Sequence, residues 1–290
     1  MPADRIDPDV TRADLHTHST ASDGTLAPAD LVRQAHRRGL AILALTDHDT
    51  TEGIAEAVRC GRELGVRVIA GIELSTDVTA GETHILGYGV DPDSRLLCET
   101  LASYRRARAE RAERIVERLR DLGVELPVGS VRPSGANASV GRPHIARALV
   151  AAGHAISVAD AFDRYLGEGK PAYIPTERKP TPPEAIQLVL AAGGLPVHAH
   201  PFTSDRFPDS LPELIEAGLA GIEVFYGEYT PEQRARLAQI ARQHGLLATG
   251  GSDYHGERFK EGRELGSVDL PAGALRRFLT RLDRRPPTGN

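Results

Sequence analysis

The residues of this chain that could do chemistry are histidines and carboxylates, and their spacing is informative. From Asp14 to Asp23 the sequence reads Asp-Leu-His-Thr-His-Ser-Thr-Ala-Ser-Asp, so His16 and His18 stand two apart after a short apolar-leaning run. Residues i and i+2 of a strand share a face, so both imidazoles can reach one point. Imidazole with carboxylate is a ligand set for zinc, iron or manganese. A lone His-x-His fits two polar residues at a strand end equally well, so the other histidines decide. Of the 11 in the chain, several sit in one repeated setting, an apolar β-like run that ends in polar residues. Residues 41–45 lead into Thr46-Asp47-His48-Asp49, residues 66–70 into Gly71-Ile72-Glu73, and His84 lies within 83–90. Residues 195–197 lead into His198-Ala199-His200-Pro201, and 246–249 into Gly250-Gly251-Ser252-Asp253-Tyr254-His255. Parallel strands ending in polar residues are how an α/β barrel assembles a site at the C-terminal ends of its strands. Nine potential ligands on six strand ends are hard to explain by packing.

The elements that must position them follow from pattern. Pro28 to Gly39 reads as a helix, with Pro in its first turn, Gly as its stop, and Leu31, Val32 and Ala35 at helical spacing. A strand at 41–45, a helix at 53–64 ending at Gly65 and a strand at 66–73 predict βαβ units and a parallel sheet. From 91 to 178 the pattern turns helical, polar and basic. Residues 104–121 carry seven arginines, and Ile115, Leu119 and Leu122 make an amphipathic stripe. Most of these charges read as a solvated face with i,i+4 pairs, and a minority as lining for an anionic ligand. After a Gly-, Ser- and Asn-rich connection at 129–139, Gly141-Arg142-Pro143-His144 opens a helix at 145–152. Arg142 and His144 there are either a phosphate-binding corner or a simple Pro start with a solvated Arg. Gly167-Glu168-Gly169-Lys170-Pro171 is a loop that lacks the upstream glycine and following Ser or Thr of a P-loop. The α/β rhythm returns at 181, with helices at 183–192, 211–217, 231–244 and 272–282 and strands at 195–199, 221–225 and 246–249. One barrel is therefore expected from 11–90 and 179–283, interrupted by a helical insertion at 91–178, with frayed tails at 1–10 and 284–290.

Composition bounds the alternatives. With 290 residues, 40% hydrophobic and 26% charged, the chain is long enough for a full barrel core and is ordinary for a soluble protein. A net charge of -5 argues against bulk electrostatic binding to nucleic acid, and no DNA-binding motif occurs. Cys60 and Cys98 form neither a disulfide framework nor a thiolate site. The acidic segment 1–10 lacks the apolar core of a signal peptide and no run approaches a membrane span, so a cytoplasmic protein is expected.

The ordered set Asp14-Leu-His16-Thr-His18 with Asp23, Thr46-Asp47-His48-Asp49, Gly71-Ile72-Glu73, His84, Ala199-His200-Pro201 and Gly251-Ser252-Asp253-Tyr254-His255 resembles the PHP (polymerase and histidinol phosphatase) phosphoesterases, in the family's order across residues 14 to 255. The helical block, with its Arg-Pro-His corner and Gly-Lys-Pro-Ala-Tyr segment, is similar to the subgroup of nucleoside 3',5'-bisphosphate phosphatases and 5'-end RNA exonucleases. The resemblance implies a distorted (β/α)7 barrel with up to three divalent metals. It assigns His16, His18, Glu73 and Asp253 to one metal, Glu73, His84 and His200 to a second, and Asp23, His48 and His255 to a third. Mixed His and carboxylate ligands favour manganese, zinc or iron over calcium, manganese first.

A water held between such metals would ionise near neutral pH and attack phosphorus, with His200, His255 or Asp47 as the acid for the leaving group. Arg142, His144 and Lys170 would grip a second phosphate. The expected substrate is a small nucleotide bearing two phosphates, with RNA 5' ends as a further possibility; Tyr104, Tyr165, Tyr173 and Tyr226 are the aromatics available for base stacking. Competing functions are a phosphatase for a small metabolite such as histidinol phosphate and a non-catalytic metal-bound module, against which the full ligand set argues. A serine hydrolase is disfavoured because Gly250-Gly-Ser252-Asp-Tyr254 lacks the last glycine of a nucleophile elbow. His36, His154 and His244 read as structural; His198, two before His200, reads either as its supporting partner or as an accidental neighbour. Family members carry a histidine-containing stretch near Glu223, whereas Phe225-Tyr226-Gly227-Glu228-Tyr229 has none.

Overall fold

The computed structural model describes residues 12–76, 83–127, 129–131, 140–175, 179–257 and 259–284. Seven strands form one sheet in sequence order: β1 Ala13–Thr17, β2 Ile42–Leu45, β3 Arg67–Ser75, β4 His84–Tyr88, β5 Leu195–Ala199, β6 Gly221–Tyr226 and β7 Leu247–Gly251. The helices are α1 Pro28–Arg37, α2 Ile54–Leu64, α3 Arg95–Asp121, α4 Arg142–Ala151, α5 Val158–Ala161, α6 Pro182–Ala191, α7 Leu211–Glu216, α8 Pro231–Gln243 and α9 Ala272–Asp283. Thr181 and Thr230 start α6 and α8 through reciprocal bonds with Glu184 and Gln233, and a Pro follows each cap. The tails at 1–10 and 285–290, and 132–139 of the Gly- and Ser-rich connection, lie outside the described residues.

The sheet closes into a barrel. Tyr254 lies in a parallel bridge with Thr17, the His18 N–H donates to the Tyr254 carbonyl at 2.9 Å, and the Asp253 N–H donates to the His16 carbonyl at 2.9 Å. Gly251 permits this approach: a Cβ there would sit 2.4 Å from the His16 nitrogen. One strand departs from the expected parallel arrangement, since β4 pairs antiparallel with both β3 and β5. Fewer than ten residues separate β3 from β4, too few for the crossover that parallel neighbours need, and the two strands pair antiparallel. The reversal decides where His84 lies. As the first residue of β4 it faces Ser75 at the end of β3 and Ala199 at the end of β5, so it joins the same rim as its neighbours' C-terminal ends.

Ile42, Ala44, Leu86, Tyr88, Leu195 and Val197 share a core with Leu275, Phe278 and Leu279 of α9. Phe278 meets Tyr88, the last residue of β4, edge-on at 5.0 Å, so α9 packs at the end away from the rim. Leu31, Val32 and Ala35 of α1 pack on Leu43 and Leu45, as their spacing predicts. The helix expected at 104–121 begins at Arg95, and its 27 residues span about 40 Å. Its Leu97 and Leu101 pack with Ile186 and Val189 of α6, while Ile115 and Leu119 belong to a separate core with Ile145, Leu149 and Leu166. α3 is thus a beam with one end on the barrel and the other in the helical block. Among the described residues, no helix is long and apolar enough to cross a membrane.

Candidate metal centre and its cationic wall

All nine candidate ligands meet at one rim. His16, His18, Glu73 and Asp253 form one group whose donor atoms lie within 4.8 Å of one another. His16 Nε2 is 3.0 Å from Glu73 Oε2, and His18 Nε2 is 3.1 Å from both that oxygen and Asp253 Oδ1. Asp23, His48 and His255 form a second group, which His18 joins, with His255 Nε2 3.2 Å from Asp23 Oδ1. The third contains Glu73, His84 and His48, with His84 Nδ1 2.8 Å from Glu73 Oε1. His200 Nε2 reaches the same oxygen at 3.1 Å. Glu73 is the hub, one oxygen turned to each side.

The charges in this cluster suit a cation. Burial pulls the His18 imidazole down, yet the carboxylates of Asp253 and Glu73 push it up to about 10. Burial likewise opposes ionisation of Glu73, Asp23 and Asp253, but the imidazoles and, for Asp253 above all, the Arg263 guanidinium hold them well below the usual carboxylate range. Protons on imidazoles thus supply the positive charge the carboxylates demand, and divalent ions would supply it with the rings neutral. Nδ1 of His18 and Nδ1 of His48 are buried without a hydrogen bond, positions a metal-bound, neutral ring would leave or use as it turns to an ion. The donor set and these orphaned atoms fit metal ions.

Local backbone builds the rim as much as residue type does. Asp49, His200 and Asp253, each just past a strand, are the non-glycine residues with positive φ among those described, at 50°, 27° and 55°. Left-handed backbone is costly for such residues and persists where surroundings enforce it. At His200 it changes which way the side chain points. His198 and His200 are two apart, as on one strand face, yet His198 pairs with Ile85 and Ile222 and meets Phe207 at 5.7 Å, among the residues that pack under the helices. The turn at His200 swings its ring into the rim instead. His198 is fully buried, makes no hydrogen bond, and burial drives its pKa to about 3, so it does not support His200.

A cavity of about 340 Å³ opens over the rim. Part of its lining is the His and carboxylate cluster. The rest of the lining is rich in cations, Arg108 and Arg111 from α3, Arg142 from the start of α4, Lys179 and Arg263, together with Phe162, Phe259 and Tyr226 among others. Arg142 lies over the Phe162 ring at 5.5 Å and the Tyr173 ring at 5.9 Å. His144 does not line the cavity; its Nδ1 accepts from the Gly141 N–H and caps its own helix. Lys170 is exposed and also outside the lining. Of the acid candidates, Asp47 is occupied by the Ser19 N–H and the Ser19 and Ser22 hydroxyls, which it holds at 2.6 to 2.7 Å. His200 and His255 have both ring nitrogens engaged, through Thr203 and Glu73 and through the Asp253 carbonyl and Asp23.

Some contributors carry no sequence signal. Arg108, one arginine among seven, donates to Asp49 at 2.5 Å and to Ser75 Oγ at 2.7 Å, tying α3 to the rim. Tyr226 stands in the stretch that lacks the family's histidine, and its hydroxyl donates to Asp253 Oδ2 at 3.0 Å, where Arg263 also binds at 2.7 Å. Glu223 reads as an isolated acid in an apolar strand, yet it is fully buried beside His16.

Fold and site define a class: an α/β barrel whose rim gathers histidines and carboxylates for divalent ions. Residues 14–125 match the PHP domain family. The chain is 39% identical to the 5'-3' exoribonuclease Rnm of Escherichia coli K12, covering 83% of this chain and 84% of that one. It is 36% identical to a 3',5'-nucleoside bisphosphate phosphatase of Chromobacterium violaceum, across 90% of this chain and 93% of the relative. A metal-dependent phosphoesterase structure from Bifidobacterium adolescentis superposes with a TM-score of 0.85 at 37% identity, covering 94% of this chain and 96% of that one. The chain belongs to the PHP family and is a metal-dependent phosphoesterase.

Proposed function

We propose that the enzyme hydrolyses a phosphate monoester of a nucleotide, the 3'-phosphate of a nucleoside 3',5'-bisphosphate. In this reading His16, His18, Glu73 and Asp253 hold one metal, Glu73, His84 and His200 a second, and Asp23, His48 and His255 a third, with manganese the first choice. The observation that carries the reading is the mixed lining of one cavity: the acidic, histidine-rich rim and four further cations, Arg108, Arg111, Arg142 and Lys179, border the same space of about 340 Å³, within the range of small-molecule sites. A molecule with one anionic group would leave one of these two sets unused.

When bound, the divalent ions supply Lewis acidity, neutralising phosphoryl oxygens and making water a nucleophile near neutral pH. The chain's own residues do the rest. Arg142, held over Phe162 and Tyr173, grips the phosphate that is not cut, its planar fork matching two phosphate oxygens. Arg108, fixed by Asp49 and Ser75, carries positive charge to the boundary between the rim and the wall. As metal ligands whose Nδ1 atoms lie against Thr203 Oγ1 and the Asp253 carbonyl, His200 and His255 would have no ring nitrogen left for the leaving oxygen. Similarity to an exoribonuclease supports a second reading, 5'-to-3' trimming of short RNA, in which the same lining holds the terminal nucleotide.

Phosphate release from manganese-loaded protein tests this, with adenosine 3',5'-bisphosphate, AMP, 3'-AMP and histidinol phosphate as substrates, alongside release of mononucleotides from a short 5'-phosphorylated RNA, in wild type and Arg142→Ala. The expected result is a strong preference for the bisphosphate that Arg142→Ala erases. A preference for histidinol phosphate, or one for the bisphosphate that survives the substitution, overturns the two-phosphate reading.

A further inference from the structure

We infer that Glu223 is a positioning residue: one buried carboxylate from β6 fixes His16 on β1 and His200 after β5 in the orientations in which they meet Glu73. Its two oxygens do different work. Oε1 is 3.0 Å from His16 Nδ1, and Oε2 accepts the backbone N–H of His200 at 2.8 Å. Neither the Glu223 side chain nor the His16 side chain is exposed to solvent. Both oxygens are committed away from the cluster, and Glu223 belongs to none of the groups with metal-binding geometry among the described residues.

The first contact sets the chemistry of His16. A carboxylate at Nδ1 keeps the proton there, so the lone pair of the neutral ring is on Nε2, the atom 3.0 Å from Glu73 and 3.4 Å from Asp253. It also fixes the ring's rotation, because His16 is pinned on opposite edges by Glu223 and Glu73. The second contact sets the geometry of His200. Its φ of 27° is what brings the ring to the rim, and a left-handed residue without a glycine's freedom needs its neighbours to hold it there. The Glu223 carboxylate does this from the N–H side, while Thr203, which accepts from Nδ1 and donates to the His200 carbonyl, does it from the other at 2.9 Å for each bond.

The fold explains how one residue reaches both. Glu223 stands in regular register on β7, opposite Thr249, and the register shifts only after it, between Glu223 and Phe225. Ile222 and Val224, to either side, pack in the outer core, so Glu223 is the residue of this segment that faces inward. Like charge near Glu73 and Asp253 is costly when buried. An inward carboxylate is kept at that cost where two donors and a nearby cation offset it.

The inference rests on the reading of His16 and His200 as metal ligands and is independent of the substrate, so it is tested on metal itself. Wild type, Glu223→Gln, Glu223→Ala and His16→Ala are stripped with chelator and refilled with manganese. Metal content at saturation is measured by elemental analysis and affinity by competition with a chromophoric chelator. Gln matches Glu in size but offers one acceptor for two donors. Glu223→Gln is expected to keep the far-UV circular dichroism and saturating metal content of wild type and to weaken manganese binding about 10- to 100-fold. Wild-type affinity in Glu223→Gln overturns the inference, as does a lower metal content at saturation, which makes Glu223 a ligand instead. Should Glu223→Ala fail to fold, Glu223→Gln still decides. If His16→Ala keeps full metal content and affinity, the ligand reading itself fails, an outcome separate from failure of Glu223.

Discussion

The rim and the wall of the cavity are built in opposite ways. At the rim, ligand-bearing residues are mostly buried and fixed from more than one side: Glu73 contacts His16, His18, His84 and His200, and Asp253 is held by Tyr226 and Arg263 as well as by histidines. The wall is made of long arginines from α3 and α4, helices that share a core of their own and meet the barrel mainly through α3. The difference divides the labour. A rim that cannot shift suits chemistry that needs atoms within tenths of an ångström, whereas a wall on a separate core can vary in its contacts without disturbing the metals, and so suits the choice of substrate.

The largest effect should follow from emptying the rim. Removal of divalent ions by a chelator, or His16→Ala in manganese-loaded protein, is expected to lower kcat at least about 1000-fold for every phosphomonoester, since nucleophile and charge neutralisation go together. Initial rates on a chromogenic aryl phosphate measure this, and chelated protein should recover on refilling where His16→Ala does not. A chelated enzyme with full activity would break the rim's side of the comparison.

Next comes the wall. Arg142→Ala is expected to raise KM for a nucleoside bisphosphate about 10- to 100-fold, the size of a lost charge-assisted contact, and to leave turnover of a simple aryl phosphate within about twofold of wild type. Equal losses on both substrates would show that wall and rim are one machine. Arg108→Met sits between them. It removes the tie from α3 to Asp49 and Ser75 and leaves the Asp49 carboxylate, 3% exposed, with the Ser75 N–H donating to it at 3.3 Å. A stability loss of about 1 to 3 kcal/mol is expected from the unpaired buried group, discounted because Arg108 is partly solvated, with KM raised for mono- and bisphosphates alike. Thermal denaturation and paired Michaelis curves measure both; an unchanged melting temperature would mean that α3 is held elsewhere.

The rim was legible in the sequence because its residue types are rare and stand at strand ends. His-x-His, Asp47-His48, Ile72-Glu73 and Asp253-Tyr-His255 follow apolar runs, so type and position point to the same place. Where position depends on contacts distant in sequence, the reading failed. His84 was placed on a strand, but that the strand runs backwards depends on the short link before it. Glu223 is an acid in an apolar run, and only its contacts with strands 23 and 207 residues away in sequence give it a role. Arg108 shares a helix with six other arginines within 104–121, and what separates it from them is Asp49 across the barrel edge. His144 and Lys170 were grouped with Arg142 by proximity in sequence or by charge, yet a capping bond claims the first and solvent the second.

The smallest effect concerns the pair that sequence spacing treats alike. His198 and His200 share a strand and a parity, but the left-handed turn at His200 sends one ring to the rim and leaves the other under the helices beside Phe207. His198 is buried with neither ring nitrogen bonded, so it bears the desolvation cost of a polar group with no compensating contact. Leu is apolar and of similar bulk. His198→Leu is therefore expected to stabilise the fold by about 1 kcal/mol, a rise in Tm of about 2 °C for a chain of this size, with kcat and manganese affinity within twofold of wild type. Calorimetry and metal titration on the same preparation measure both. A tenfold loss of metal affinity would show that His198 does act on His200 through the backbone between them, and that the boundary between rim and packing lies deeper in β5 than the turn at His200.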